Sequence, residues 1–495
     1  GAKHSFALKE DGSIWAWGSN SSGELGDSTR TNKSSPILLP NNHKFIRIYG
    51  GYYSSGGLSP QITYPIKSLK NIASAKKRNK KIIISSNYED MSTPFSSWKY
   101  RQKITIDCTK VSNTDQENFP VLIFIENEEN PIFKKSMPNG SDIYFGDING
   151  IIEYPYEIET YSNELGNRKL IAWVKLPIVF SSSDTEFYIY YGNHSRKRKS
   201  NPENTWDTNF VGVWHLNDET ASTTLDSTNN NNDMIKIAPN EPLEVIGKIS
   251  KAQKFDKTNN RIYMNSTDSL NLTTAFTLSA WVCVIGTNSD IEWIIIKNTS
   301  NTTNTQYGFY IAGTRTSGSV ILYINGTSKN LGTLTMSTET WYYLTVTWDG
   351  TTINSYVNGA YLGTNSHTTP LTINGAFVNI GGRSSSTDGK SGAYIINGNI
   401  DEARISKIAR SADWITTEYN NQNNPNSFYS ISNEEIGKKP AVYLRYNDNQ
   451  GYNQAEIAIS GEKRSGVRTQ KPVFGEEPDF SLNLINGLSA LWLFN

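Results

Sequence analysis

The sequence predicts an all-β chain divided into several domains, and three observations carry that prediction. The first is patterning. In residues 341–359 (WYYLTVTWDGTTINSYVNG), Tyr343, Thr345 and Thr347 point one way and Tyr342, Leu344, Val346 and Trp348 the other. That is the period of a half-buried strand rich in β-branched and aromatic residues. Asp349-Gly350 and Asn358-Gly359 each read as a tight hairpin turn with φ > 0 at both positions, so the stretch is a meander of antiparallel strands. The second observation is composition: aromatics reach 12% while charged residues stop at 19%, which suits strands separated by many polar turns. The third is length, because 495 residues exceed one hydrophobic core and imply three or four domains.

Charge and hydropathy exclude several classes. Lys plus Arg and Asp plus Glu both count 47, so no net field recruits nucleic acid or an anionic membrane. No run approaches the ~18 apolar residues of a membrane span, so no membrane insertion is expected. Cys108 and Cys283 fall in different predicted domains and read as small buried hydrophobes, not as a disulfide.

Taken in order, residues 1–27 (GAKHSFALKEDGSIWAWGSNSSGELGD) alternate through Phe6-Ala-Leu, turn at Asp11-Gly12 and continue through Trp15 and Trp17 to Gly18. This pattern resembles a repeat of the regulator-of-chromosome-condensation propeller family, with Glu24 where that family usually has Gln. Residues 45–58 begin a second copy, with Gly51 aligned to Gly1 and Leu58 to Leu8. Blades stack on neighbours, so residues 1–64 are expected to be part of a propeller and the chain a window on a longer modular protein. A linker, 65–96, follows; its basic cluster from Lys76 to Lys81 reads as a solvated connector.

Residues 97–195 carry short strands at 100–106, 121–124, 142–145, 156–160, 172–174 and 187–190, punctuated by Pro, Asn and Gly, which implies a β-sandwich. The segments WKYRQKITID, YEIE, AWVKLP and FYIYYGN resemble an uncharacterised family that commonly precedes laminin G-like domains in prokaryotic surface proteins. Glu157 and Glu159 stand two apart on one strand, about 7 Å by the strand rise, a separation compatible with paired catalytic carboxylates. No E-x-D-x-E signature accompanies them, and they read as exposed charge.

Residues 207–432 form the next unit. Its first strand is 210–217 (FVGVWHLN), followed by the polar loop 225–233 (LDSTNNNND). Phe276, Leu278, Ala280 and Val282 alternate inward against Ser279, Trp281 and Cys283, and further strands lie at 294–297, 307–312 and 320–324. Ser411 is a candidate N-cap for a short closing helix. The WDG and YVNG motifs, with FVNIGG at 377–382 and GNIDEARI at 398–405, resemble the laminin G-like, concanavalin-type sandwich of surface and secreted proteins. This piece is expected to fold alone. Residues 433–486 read as a polar β segment or linker. Residues 491–495 repeat the pattern of 213–217, the start of a further laminin G-like repeat and so of neighbouring repeats as partners.

The functional candidates are few. No G-x-S-x-G elbow, Walker loop, dinucleotide fingerprint or Cys/His metal spacing occurs. Five strand aromatics, Trp281, Trp293, Tyr307, Tyr310 and Tyr323, are the candidate ligand-binding set, since sugar rings stack on exposed aromatic faces; alternation alone does not tell the core face from the outer one. Asp226 and Asn229 in the polar loop, with Asp401 in the strand near the end, are the candidate ligands of one structural calcium ion. Such an ion takes six to eight oxygens, and the first and last strands of the sandwich should lie side by side. The resemblance implies the same, since many laminin G-like and pentraxin-like domains bind calcium. The expected protein is non-catalytic, extracellular or on the cell surface, and binds a glycan or a surface protein. The alternative is a set of accessory binding modules of a secreted carbohydrate-active enzyme whose catalytic domain lies outside residues 1–495.

Overall fold

The computed structural model describes residues 98–436, apart from 149, 151, 194–199, 220–222, 237, 239, 287–290, 315, 388 and 390, together with strand segments within 4–85 and 442–492. The chain is all-β and divides into two compact units, Gly1–Ser86 with Ala441–Pro478, and Asn87–Pro440 with Asp479–Asn495. The basic run 76–80 and most of 433–486 lie outside the described residues.

In the first unit His4–Leu8, Ile14–Gly18 and Lys33–Leu38 form an antiparallel sheet. Asn20, just past the Trp-Gly pair, is buried; its carbonyl accepts the Leu25 N–H at 2.9 Å and its amide donates to Thr29 O at 3.0 Å. The second repeat copy supplies the hairpin Arg47–Gly50 with Ser55–Leu58. Lys81–Ser85 pairs with Val442–Asn447, which pairs in turn with Ala455–Ile459. Of the closing pattern 491–495, which belongs to the second unit, the described residues are Leu491–Trp492, paired with Ser481–Leu482.

The second unit holds two sandwiches. In the first, Tyr156–Ser162, Lys169–Val179 and Gln116–Ile125 form one sheet, and Tyr100–Ile106, Thr185–Tyr191 and Tyr144–Gly146 the other. Every strand read from the sequence in this stretch is present. Ile104, Val121, Ile123, Phe145, Phe187 and Ile189 are fully buried in its core or nearly so. The edge of the second sheet is completed from far along the chain, where Tyr429–Ile431 pairs with Tyr100–Ile106.

The second sandwich has two eight-stranded sheets. The helix-side sheet runs Leu243–Ile246, Lys251–Asp256, Asn397–Ser406, Phe276–Val284, Trp341–Trp348, Thr352–Val357, Ala360–Ser366. Phe210–Trp214 lies beside Asn397–Ser406, so first and last strands are neighbours. The far sheet includes Ile262–Met264, Phe377–Ile380, Glu292–Asn298, Thr305–Thr314, Ser317–Ile324 and Thr327–Leu334. Phe276, Leu278, Ala280, Val282, Leu344, Val346 and Trp348 all enter the core between the sheets, as their alternation predicts. Asn358-Gly359 and Asn325-Gly326 are two-residue turns with both φ positive. Asp349-Gly350 departs from the expectation: Trp348 pairs with Ile353, so four residues separate the last paired positions, and of the pair only Gly350 has positive φ. Asp349 instead accepts the Thr351 and Thr352 N–H groups at 2.8 and 2.7 Å, its side chain substituting for a tighter backbone turn.

After the last strand, Ser411 Oγ accepts the Trp414 N–H at 3.1 Å and starts the helix Ala412–Asn423. One side of this helix covers the helix-side sheet, where Trp281 Nε1 donates to Gln422 at 2.6 Å and Tyr343 Oη to Glu418 at 2.7 Å. Its other side meets the first sandwich. Asn421 accepts the Leu122 N–H at 2.6 Å and donates to Leu122 O at 3.1 Å, as a neighbouring strand would. Trp206, Phe210, Val213, Tyr356, Trp414, Ile415, Phe428 and Tyr429 therefore belong to the first sandwich's core cluster. Residues 207–432, read as one domain in the sequence, share their packing with 98–192.

Candidate functional site

Two groups of side chains stand out. The first lies on the outer face of the far sheet. Cross-strand partners share a face, and the register Trp293↔Tyr310↔Ile321 sets these residues side by side, with Tyr323 two residues beyond Ile321. The ring centroids of Trp293 and Tyr310 are 4.5 Å apart, Trp293 and Tyr323 5.8 Å, Tyr310 and Tyr323 6.1 Å. Ile296 and Ile321 complete a cluster separate from the sandwich core. Tyr323 is half-buried, while Trp293 is 1% exposed and its Nε1 has no hydrogen-bond partner among the described residues. A buried, unpaired indole N–H costs free energy until an acceptor reaches it. The other two named aromatics are elsewhere: Tyr307 is in the core with its hydroxyl on Leu270 O, and Trp281 is under the closing helix.

The second group is ionic and buried between the two sandwiches. Glu157 and Glu159, read as exposed charges, are not exposed; the strand carrying them faces the second sandwich. A bulge skips Glu159 in the pairing with Lys169–Val179, and another in Asn397–Ser406 leaves Glu402 at φ +51. Bulges re-aim side chains, and here each sends a carboxylate toward His215. His215 Nδ1 is 2.7 Å from Glu402 Oε1 and 3.6 Å from Glu159 Oε2, and Nε2 is 3.3 Å from Glu157 Oε2. Arg404 joins Glu402 and Glu418, each at 2.6 Å, and its guanidinium lies 4.4 Å over the Trp173 ring and 4.7 Å over Trp206. Trp206 Nε1 and Ser227 Oγ donate to Glu157 at 2.9 and 2.7 Å, and Trp173 Nε1 to Glu159 at 3.0 Å.

Electrostatics follow from that packing. Burial opposes a charge on His215, but Glu402, Glu157 and Glu159 outweigh it and raise its pKa well above the ordinary value. Burial pushes Glu159 up to about 7 despite the attraction of His215, with Glu402 and Glu157 adding like-charge repulsion. Glu157 is also buried, but the His215 charge and three hydrogen bonds hold it below its usual value. Asp401, fully buried beside Glu402, is raised well above. The arrangement is an imidazolium held between carboxylates, a chemical lock between two sheets from different parts of the chain.

The residues named for calcium do other work. Asp226 Oδ1 accepts the Val213 and Thr228 N–H groups, each at 2.9 Å, and Oδ2 accepts the Asn232 N–H and Thr228 Oγ1, each at 2.8 Å. Asp401 Oδ2 accepts Lys248 and Ile249 N–H at 2.8 and 3.0 Å, and Asn229 is exposed. Although the first and last strands are neighbours, the two aspartates hold different backbone segments and share no donor. With both oxygens of Asp226 taken by N–H and O–H donors, the set does not fit an ion that needs six to eight free oxygens. Among the described residues the metal-capable groups that converge are Asp107, Cys108 and Asp184, and Glu159, His215 and Glu402. Glu292 is buried and accepts the Asn397 N–H at 3.1 Å. Cys108 and Cys283 are free thiols.

Three stretches match known families. Residues 256–416 match the concanavalin A-like lectin/glucanases superfamily, 139–232 a domain of unknown function, and 1–24 the regulator of chromosome condensation repeat. Residues 256–416 are a concanavalin A-like domain. No curated protein matches the chain. Among solved structures, domain 4 of AbnA, a GH43 extracellular arabinanase from Geobacillus stearothermophilus in complex with arabinotriose, is 16% identical. That match covers 42% of this chain and 96% of that one, with a TM-score of 0.33. The binding domain of Paraclostridial Mosquitocidal Protein 1 is 16% identical over 43% of this chain and about half of its own (52%), also with a TM-score of 0.33. A heptameric SAP-like pentraxin from Limulus polyphemus is 15% identical over 37% of this chain and 93% of its own, with a TM-score of 0.28.

The concanavalin A-like domain thus carries the aromatic cluster on its far sheet, and its helix-side sheet is closed by the preceding sandwich. The ionic group was not found from sequence. Its one available signal was Asp401, Glu402 and Arg404 inside a strand whose Ile400, Ala403 and Ile405 are core, a charge density that a solvated strand face does not require. Among the described residues no helix is long and apolar enough to cross a membrane.

Proposed function

We propose that this chain is a non-catalytic, extracellular or cell-surface binding protein that recognises a glycan through the far sheet of its concanavalin A-like domain. The observation that carries the reading is the Trp293, Tyr310 and Tyr323 cluster. Tyr323, the half-buried member, offers its ring face to sugar C–H groups, and the buried Trp293 and Tyr310 rings packed beside it hold it in place. The superfamily description, lectins and glucanases, supports a carbohydrate ligand. Glu157, Glu159 and Glu402 are engaged in the lock around His215 and Glu292 holds the Asn397 N–H, which supports binding without turnover.

The test is a polysaccharide panel with the full chain, read both as binding and as released reducing ends. Binding without turnover is expected, weakened about five- to tenfold by Tyr323→Ala, since an aromatic contact is worth ~1 kcal/mol. Turnover abolished by Glu402→Gln would overturn the non-catalytic reading, and retention of full affinity in Tyr323→Ala and Tyr310→Ala would overturn the placement of the ligand.

A further inference from the structure

Lys297 lies where a lysine is expensive. It occupies the strand Glu292–Asn298 in register with Tyr307 and Val378, both members of the sandwich core, and is 0% exposed. A lysine in such a place normally pairs with a carboxylate. Among the described residues Lys297 has no ion pair; its Nζ donates to Leu270 O at 3.1 Å and to the side-chain carbonyl of Asn271 at 2.5 Å. Burial lowers its pKa to about 8, with Asp268 acting in the opposite sense, so on the order of a tenth of it is free amine at pH 7.

The surroundings of that amide are those an acyl transfer needs. Cγ is bonded to the contacted oxygen at about 1.23 Å, which places it no more than about 3.7 Å from Nζ, and rotation of the freed amine about the Lys297 side chain turns its lone pair toward that carbon. Ser266 Oγ donates to Asn271 Oδ1 at 3.4 Å, polarising the carbonyl where negative charge would develop. Asp268 Oδ1 accepts from Asn271 Nδ2, the leaving nitrogen, at 3.4 Å. Leu270 O, itself held by the Tyr307 hydroxyl at 3.0 Å, fixes the amine. One short segment, 266–271, supplies the electrophile, the proton carrier and the oxyanion donor, and the facing strand supplies the nucleophile.

We propose that Lys297 and Asn271 become joined by an intramolecular amide bond. The neutral amine of Lys297 attacks Asn271 Cγ, forming the new C–N bond. In the tetrahedral adduct the proton passes from Nζ to Nδ2, beside which the Asp268 carboxylate, 3.4 Å from Nδ2, stands to relay it; the Cγ–Nδ2 bond breaks, and ammonia leaves. No oxidant, reductant or cofactor enters the balance. The product replaces a buried ammonium by a neutral amide and clamps the loop before Phe276–Val284 to the far sheet, in a chain whose two cysteines are unpaired. Closing a loop between residues 26 apart constrains the unfolded state as a disulfide does.

The decisive measurement is mass spectrometry of the full chain. The expected intact mass is lower than that of the sequence by one ammonia, and digestion should give a branched peptide linking Lys297 to Asn271. Lys297→Met and Asn271→Ala should each restore the sequence mass. Asp268 is exposed, so Asp268→Ala should fold normally yet keep the two peptides separate, which distinguishes a failed reaction from a failed fold. Wild-type protein at its full sequence mass, with Lys297 and Asn271 recovered in separate peptides, would overturn the proposal and leave an ordinary hydrogen bond.

Discussion

At the scale of single residues, the chain uses acidic side chains to hold its own backbone together. Asp226 is the plainest case, gathering three N–H groups and a hydroxyl. Hydrogen bonds to a charged acceptor are worth ~1.5–3 kcal/mol, and amides orphaned in a buried place carry their full desolvation cost. Asp226→Ala should therefore lower stability by about 3 kcal/mol, read by denaturant unfolding. The loss should be the same in millimolar calcium and in chelator; a loss confined to calcium would assign the carboxylate to an ion.

The His215 lock makes a second residue-scale prediction, with a sign fixed by linkage. His215, Glu159 and Asp401 all bind protons more tightly folded than unfolded. Stability must then fall as pH rises, for Glu159 from its ordinary range near 4.5 up to about 7, and for His215 from 6.5 upward through its raised folded value. Glu157 acts oppositely, giving stability that is lost as pH falls below its ordinary range. Melts of the full chain should give a higher midpoint for this unit near pH 5.5 than near pH 8.5, and His215→Gln should flatten the difference. A midpoint that climbs with pH across this window would show that the cluster is not charged as described. None of these partnerships was legible in sequence, because they join residues from strands far apart in the chain, and a bulge at Glu159 or Glu402 leaves no mark in the alternation.

At the scale of elements, legibility follows how local the cause is. The strand Trp341–Trp348 and the turn at Asn358-Gly359 are legible in the sequence because period and positive φ are properties of adjacent residues. Ser411 as an N-cap was readable for the same reason. Asp349-Gly350 was misread because the side-chain contacts of Asp349 compete with the tighter turn. The aromatic set divides the same way: alternation put Trp281 and Trp293 on strands, but only the sheet order shows one facing a helix and the other a cluster on the far sheet. The closing helix has a role its sequence does not announce. Asn421 occupies both hydrogen-bonding groups of Leu122 on the edge strand Gln116–Ile125. Asn421→Ala should cost about 2 kcal/mol, since two neutral hydrogen bonds are lost in a buried place. Asn421→Asp should be worse, because it removes the donor and adds a charge. Hydrogen exchange at Leu122 would report the same loss locally.

At the scale of the whole molecule, the question is what folds as one piece. The two sandwiches of the second unit share the His215 lock, the Asn421 contact and an apolar cluster containing Trp206, Phe210, Val213, Tyr356, Trp414 and Phe428. The strand Tyr429–Ile431 also leaves the second sandwich to complete a sheet of the first. Cutting at 207 and 432 would expose that cluster and strand the Glu402, Arg404 and Glu418 charges without Glu157 and Glu159. Large apolar side chains contribute roughly 1.5–3 kcal/mol each when fully buried, so even a few of them uncovered rival the 5–15 kcal/mol total stability of an ordinary domain. A fragment spanning 98–436 should therefore melt in one cooperative transition. The 207–432 fragment should melt lower by well over ten degrees, or without cooperativity. Adding 98–206 in trans should raise its midpoint by mass action, and Glu157→Ala in the added piece should weaken that rescue. If 207–432 alone matched the midpoint of 98–436, the shared cluster would contribute nothing to stability, and the sequence's division at 207 would describe two independent folds.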